Sequence, residues 1–321
     1  MENHPSNATR SAVAASPVRR RLLVTGASGF LGWHLCRAAQ ATWQVEGTYH
    51  RHLPPLPGVT LHAIDLNDLR RVASWLSELA PDAVIHTAAL SQPNRCEQAP
   101  DLSYAINVEA TRVLAQVCGA SGTGRSANRN IPFVFTSTDQ VFDGQAPPYS
   151  EASIPNPISL YGRHKVEAET LIQALHPSAV VCRMPLLYGP PSPRAECFLQ
   201  GFVRTLEAGQ PLHLFTDEFR TPAYVEDAAT GLLLALETTG LLHLGGPERL
   251  SRYDFGRRMA EVFGLKQDLI MPCKQADVAM PAARPPDVST NSERAFALGY
   301  CPRGVIAGLK ATQTWRHDGA V

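Results

Sequence analysis

The sequence carries no net charge: 29 Lys and Arg residues are balanced by 29 Asp and Glu. Without an overall basic field, nucleic acid and acidic membrane surfaces are excluded as partners, and any anionic ligand must be held by a local site. Long hydrophobic runs are missing too. The uncharged apolar stretch at 231–236 is among the longest, far short of the ~20 residues that a membrane-spanning helix needs. The seven cysteines, at 36, 96, 118, 182, 197, 273 and 301, form no CxxC pair. An odd, scattered set of this kind argues against a disulfide framework or a metal site, and fits reduced thiols in a cytoplasmic protein. Residues 1–18 contain one acidic residue and no apolar core segment, which argues against a secretory signal. A disordered tail is expected there, with an organelle transit peptide as the alternative, since arginines stand at 10 and 19–21. No internal repeat is evident.

What is present is a globular composition, 321 residues with 44% hydrophobic and 18% charged, enough for one large domain or two smaller ones. Arg21-Leu22-Leu23-Val24-Thr25 is a short apolar strand running into Gly26-Ala27-Ser28-Gly29-Phe30-Leu31-Gly32. A helix follows, with Leu31, Leu35, Ala38 and Ala39 at helical spacing. Strands at 44–49 and 59–64, a helix at 66–79, a strand at 83–86, a helix at 102–118, a strand at 131–137, a helix at 158–175 and a strand at 179–183 continue the alternation. The pattern predicts an α/β fold with a doubly wound parallel sheet of the Rossmann type. Residues 119–130 have the composition of a flexible surface loop. Past 190 the pattern changes to helices with short strands, at 194–208, 212–215, 225–237, 241–244 and 253–263. The expected organisation is a tail at 1–18, a Rossmann domain at 19–190, and a smaller C-terminal lobe at 191–321 with some return to the sheet.

The cofactor expectation comes from the first strand–loop–helix. Gly26, Gly29 and Gly32 let the backbone turn tightly and approach a pyrophosphate resting on the helix N-terminus. The acceptor for the adenosine ribose belongs about 20 residues further on, at the end of the second strand. That strand ends Tyr49-His50-Arg51 with no carboxylate for the 2′-hydroxyl, and Arg51 can instead meet a 2′-phosphate. NADP(H) is therefore expected in preference to NAD(H). Asp65 and Leu66, closing the third strand, are placed to meet the adenine, whereas His86 reads as a packed strand-end residue.

Tyr161 and Lys165 stand four apart, which puts a phenol and an ammonium on one helical face. Thr136-Ser137-Thr138-Asp139 closes the preceding strand, where a hydroxyl can reach a carbonyl that Tyr161 protonates. With these motifs in order, together with His86-Thr87-Ala88-Ala89 and Asn107-Val108, the chain resembles the extended short-chain dehydrogenase/reductase family over about 20–315. The resemblance implies that Thr138 is the catalytic hydroxyl, Tyr161 the proton donor, and Lys165 the group that lowers the phenol's pKa and binds ribose hydroxyls. It places cofactor contacts at Gly26, Ser28, Gly29, Phe30, Leu31, Gly32, Arg51, Asp65, Leu66, Ala88, Ala89, Asn107, Tyr161, Lys165 and Leu187.

Within that family, the run Ser137–Gly144 followed by Pro148-Tyr149 and Glu151 resembles the dTDP-4-dehydrorhamnose reductases, as do Arg183–Gly189, Arg220-Thr221-Pro222, and Arg284-Pro285 with Asn291. That branch implies reduction of the 4-keto group of a nucleotide-linked deoxysugar. The same segments resemble the regulatory β subunit of methionine adenosyltransferase, which implies the alternative of a non-catalytic NADP-binding partner protein. Gln140 takes the place of an acid used in the related dehydratases, and an amide cannot donate a proton as a carboxylic acid does. Dehydration is thereby disfavoured. An epimerase is the less favoured third reading. Substrate contacts are expected at Ser91, Asp139 and Gln140, and at Arg220 and Arg284, whose guanidiniums suit a diphosphate. The expected partners are a nucleotide sugar and, in a homodimer, a second copy of the chain; no metal is expected.

Overall fold

The computed structural model describes residues 19–119 and 130–318. The 1–18 tail and nearly all of the 119–130 loop lie outside the described residues. The chain runs β1 (Arg21–Thr25), α1 (Phe30–Ala39), β2 (Gln44–Tyr49), β3 (Thr60–Ala63), α2 (Leu69–Leu79), β4 (Ala83–His86), α3 (Pro93–Gln98), α4 (Pro100–Tyr104), a π-helical turn (Ala105–Glu109), α5 (Ala110–Cys118), β5 (Phe133–Thr138), α6 (Leu160–Leu175) and β6 (Val180–Met184). It continues through β7 (Leu187–Tyr188), α7 (Phe198–Glu207), β8 (Leu212–Phe215), β9 (Phe219–Arg220), β10 (Ala223–Tyr224), α8 (Val225–Leu234), β11 (Gly240–His243), β12 (Leu250–Ser251), α9 (Arg252–Phe263), β13 (Ile270–Cys273), α10 (Glu293–Ala297) and α11 (Val305–Asp318).

Seven strands form one parallel sheet in the order β11-β6-β5-β4-β1-β2-β3. Strands β4, β5 and β6 are buried along their whole length, as parallel strands covered on both faces by helices must be. The two-residue period of β1 separates its side chains. Leu22 and Val24 enter the core shared with Leu35 of α1 and Leu232 of α8, while Leu23 enters the core of Leu76, Leu114, Phe133 and Ile172. A third core, built on Tyr188, Leu199, Leu214, Phe255, Met259 and Leu309, holds the smaller lobe. The chain returns to the sheet late: β11 pairs with β6, and α8 packs on α1.

Several boundaries shift for local reasons. Helix α2 starts at Leu69 because the Asp68 side chain accepts the Arg71 N–H and caps it. Helix α6 starts at Leu160, where the Ser159 hydroxyl accepts the Gly162 N–H. The single helix expected at 102–118 is α4 and α5 joined by the π-turn at 105–109, which carries Asn107. Among the described residues, no helix is long and apolar enough to cross a membrane.

Candidate active site

Chain order reverses between β1 and β4, and the crevice outside the carboxyl ends of these strands is where an open α/β sheet binds its ligands. Three loops meet there. The first is the glycine turn after β1. Gly26 has a φ of 76°, and a Cβ on it would come within 2.9 Å of the Ala88 Cα and N. A Cβ on Gly32 would overlap the Gly26 carbonyl oxygen, so the third glycine serves helix–loop packing. Around Gly29 the nearest atom to an added Cβ is the Gly26 oxygen at 3.2 Å, which leaves the outer side of the turn bare. Helix α1 has no side-chain N-cap, so its first-turn N–H groups at Phe30, Leu31 and Gly32 are open to an anion. These residues fit a dinucleotide pyrophosphate.

The β4 end is tied to this turn. Thr25 Oγ1 accepts the Thr87 and Ala88 N–H groups at 3.2 and 3.3 Å, and the Thr87 hydroxyl donates to the Thr25 carbonyl at 2.6 Å. His86 is enclosed between Thr25 Oγ1 (2.6 Å) and Thr111 Oγ1 (3.0 Å), and burial drives its pKa down to about 3. It is a packed, neutral imidazole. Asn107 was expected to contact the cofactor, but its amide is spent inside the protein. It accepts the Leu90 N–H at 3.0 Å and donates to the Leu90 carbonyl and Ser103 Oγ. The loop that it clamps carries Ala88, Ala89 and the exposed Ser91. At the adenosine end, Arg51 is exposed and no acid terminates β2. Asp65 lies 3.5 Å from His50, and its carboxyl is held below the usual range chiefly by hydrogen bonds from Asn67, with His50 and Arg51 adding to this. Leu66 is half-buried against the second core, and Leu187 of β7 against the first.

Thr138 ends β5, and Tyr161 and Lys165 lie on the first turns of α6, all three buried. The Thr138 hydroxyl donates to Asp139 Oδ1 at 3.3 Å and accepts the Gln140 N–H at 3.2 Å, and it pulls the nearby Tyr161 phenol's pKa down. Tyr161 packs with Leu90 and Cys96, and burial raises its phenol well above the ordinary value, with Cys96 and Asp139 pushing the same way. In these dry surroundings Tyr161 keeps its proton. Lys165 Nζ stands 4.0 Å above the Phe135 ring, and burial brings its pKa down to about 7.

The third loop, after β5, starts with Asp139 and Gln140, and charged groups from later in the chain gather beside it. Arg220 was expected at a diphosphate, but it is 3% exposed and already engaged, 3.6 Å from Asp139, 3.3 Å from Glu218, and donating to the Phe219 and Pro285 carbonyls. It is a buried ion-pair centre that props up the site. Asp139 is equally buried, which raises its pKa to about 6 against the pull of Arg220, and its Oδ2 has no hydrogen-bond partner. Gln140 Oε1 is likewise inaccessible and without a partner. Arg284 is different. It is half-buried and makes a long contact, 3.4 Å, to Asn94 Oδ1 at the start of α3. The 90–95 loop and the C-terminal lobe therefore meet over the cleft, and Arg284 is the more available cation. Sequence reasoning missed Arg252, stacked 4.1 Å over Phe198 beside Glu218, Arg220 and Arg284, with burial lowering its pKa to about 10. Nothing in the sequence pattern around the start of α9 marks it. Among the described residues, no group of three or more metal-ligating side chains occurs.

Comparison with known proteins supplies a family. A family model for the RmlD substrate binding domain matches residues 20–303. A probable low-salt glycan biosynthesis reductase of Haloferax volcanii is 35% identical over 268 residues, covering 82% of this chain and 86% of that protein. The methionine adenosyltransferase 2 subunit beta of Xenopus laevis is 29% identical over 290 residues, covering 87% and 83%. The crystal structure of a hypothetical dTDP-4-dehydrorhamnose reductase from Sulfolobus tokodaii superposes with a TM-score of 0.75 at 30% identity, covering 86% of this chain and 94% of the other.

Proposed function

The chain belongs to the RmlD substrate binding domain family, and from that premise we propose that it is an extended short-chain dehydrogenase/reductase that reduces the 4-keto group of a nucleotide-linked deoxysugar with NADPH. The observation that carries this is the meeting of Thr138, Tyr161 and Lys165 with the bare glycine turn on one edge of the sheet. The Thr138 hydroxyl polarises the substrate carbonyl, and Tyr161, held protonated by burial, gives its proton to the carbonyl oxygen as the alcohol forms. The nicotinamide, when bound, supplies the hydride to the carbonyl carbon. Lys165 lies on the same helical face as Tyr161, where it can bind the ribose and lend positive charge to the phenolate that remains. Gln140, an amide without an acid's proton, suits reduction rather than dehydration.

The second reading is a cofactor-loaded regulatory subunit, favoured by the likeness to the methionine adenosyltransferase beta subunits. Thermal unfolding separates the two. With NADPH present, a nucleoside diphosphate at 100 times its dissociation constant should add about 2.7 kcal/mol to the stability of the reductase. Arg284→Ala should shrink that gain and leave the NADPH effect intact. Indifference to dTDP, UDP, GDP and CDP, with stabilisation by NADPH alone, favours the regulatory reading.

A further inference from the structure

Behind the catalytic strand lies a buried charged group that the reaction as described does not use. Glu169 follows Lys165 by four residues, on the same face of α6, and is 5% exposed. Its Oε1 receives the Ser137 hydroxyl and, at 3.1 Å, Arg183 Nε, and its Oε2 receives Arg183 Nη2 at 2.7 Å. Ser137 is the neighbour of Thr138 on β5, and Arg183 lies on β6. One carboxylate thus ties together the strand that presents the catalytic hydroxyl, the helix that presents the phenol and ammonium, and the next strand of the sheet. A purely structural ion pair would be a costly choice here. A buried pair of this kind is generally no more stabilising than apolar residues of the same volume.

We propose that Glu169 is a positioning residue: it fixes β5, α6 and β6 in register, and it supplies the negative field in which the Lys165 ammonium stands. This rests on reading Lys165 as the working partner of Tyr161. The surroundings of Lys165 leave few other sources of such a field. Its ammonium sits over the Phe135 ring of β5. His86 on β4 is neutral, since burial holds its pKa at about 3. Cys96 on α3 has a thiol raised by burial, and Tyr161 on α6 keeps its proton, so neither carries charge at neutral pH. Glu169 is the foremost group opposing the burial that drives Lys165 down to about 7. Arg183 is held by Glu169, and it also stands 5.0 Å from the Phe142 ring and acts on His243. The ammonium form is lost as pH rises through about 7. Removing the carboxylate must move that loss to lower pH.

The chain has four lysines, so 13C-labelled lysine in the full-length protein gives few signals, and Lys165→Met identifies the one of interest. Its titration is read without cofactor and without turnover. In Glu169→Gln the Lys165 midpoint should fall by about one pH unit or more, the usual effect of losing a nearby opposite charge. The pH profile of reduction should lose its basic side correspondingly early. Because Glu169→Gln strands Arg183, the double variant Glu169→Gln/Arg183→Leu, a pair without net charge, is the second test. It should fold and still show the lowered midpoint, while Glu169→Asp, which keeps the charge but loosens the contacts, should recover most of it. A wild-type midpoint in the folded double variant overturns the proposal. If the midpoint falls but no keto sugar is ever reduced, the positioning claim stands and the assigned reaction fails.

Discussion

In Tyr161→Phe, turnover of a 4-keto sugar nucleotide falls by about 10²–10⁴, the usual contribution of a positioned general acid, while the fold and NADPH binding survive. The ring of Tyr161 packs with Leu90 and Cys96, and phenylalanine keeps those contacts. What disappears is the hydroxyl that burial keeps protonated. Circular dichroism and calorimetry with NADPH check the first half, and single-turnover reduction checks the second. A variant that reduces the substrate at the wild-type rate removes Tyr161 from the proton-donor role. Because the whole set is buried, nearby substitutions that admit water should also slow the reaction, but without the clean separation between binding and chemistry.

The second large effect concerns the cofactor. NADPH should bind more tightly than NADH, and Arg51→Ala should narrow the gap by about one to two decades, since a hydrogen bond to a charged group contributes roughly 1.5–3 kcal/mol. Arg51 is exposed at the end of β2, with no acid closing that strand. Asp65 is the competing group, its carboxylate standing close to His50. Arg51→Ala should leave NADH affinity nearly unchanged, because NADH has no 2′-phosphate to lose. Titration calorimetry with both cofactors on both proteins measures this directly. Equal affinities in the wild type contradict the assignment.

The parts of the fold that were legible in the sequence are those with strong local signals. Strands β1, β4, β5 and β6 are apolar runs because both faces of a parallel sheet are covered. The Gly26–Gly32 turn is readable because a Cβ at Gly26 or Gly32 would collide with neighbouring backbone. Tyr161 and Lys165 are readable because their spacing alone places them on one face. What stayed hidden depends on residues distant in sequence. Arg220 looked like a ligand for phosphate until Asp139 and Glu218 were seen to hold it. Asn107 looked like a cofactor contact until Leu90 and Ser103 were seen to use its amide. Arg252 joins the charged cluster only because Phe198 and Phe202 stack beneath its guanidinium. The raised phenol of Tyr161 is likewise a property of packing, since burial is its chief cause.

The central claim is that the Thr138–Tyr161–Lys165 cleft transfers a hydride from NADPH to a 4-keto sugar nucleotide. Its most direct measurement follows NADPH absorbance with the full chain and a panel of 4-keto sugars carried on dTDP, UDP, GDP and CDP. The account predicts stoichiometric loss of NADPH with at least one member and formation of the matching 4-hydroxy sugar, both abolished or slowed as stated in Tyr161→Phe. Tight NADPH binding with no oxidation on any member of the panel, under conditions where a known reductase turns it over, would contradict the claim.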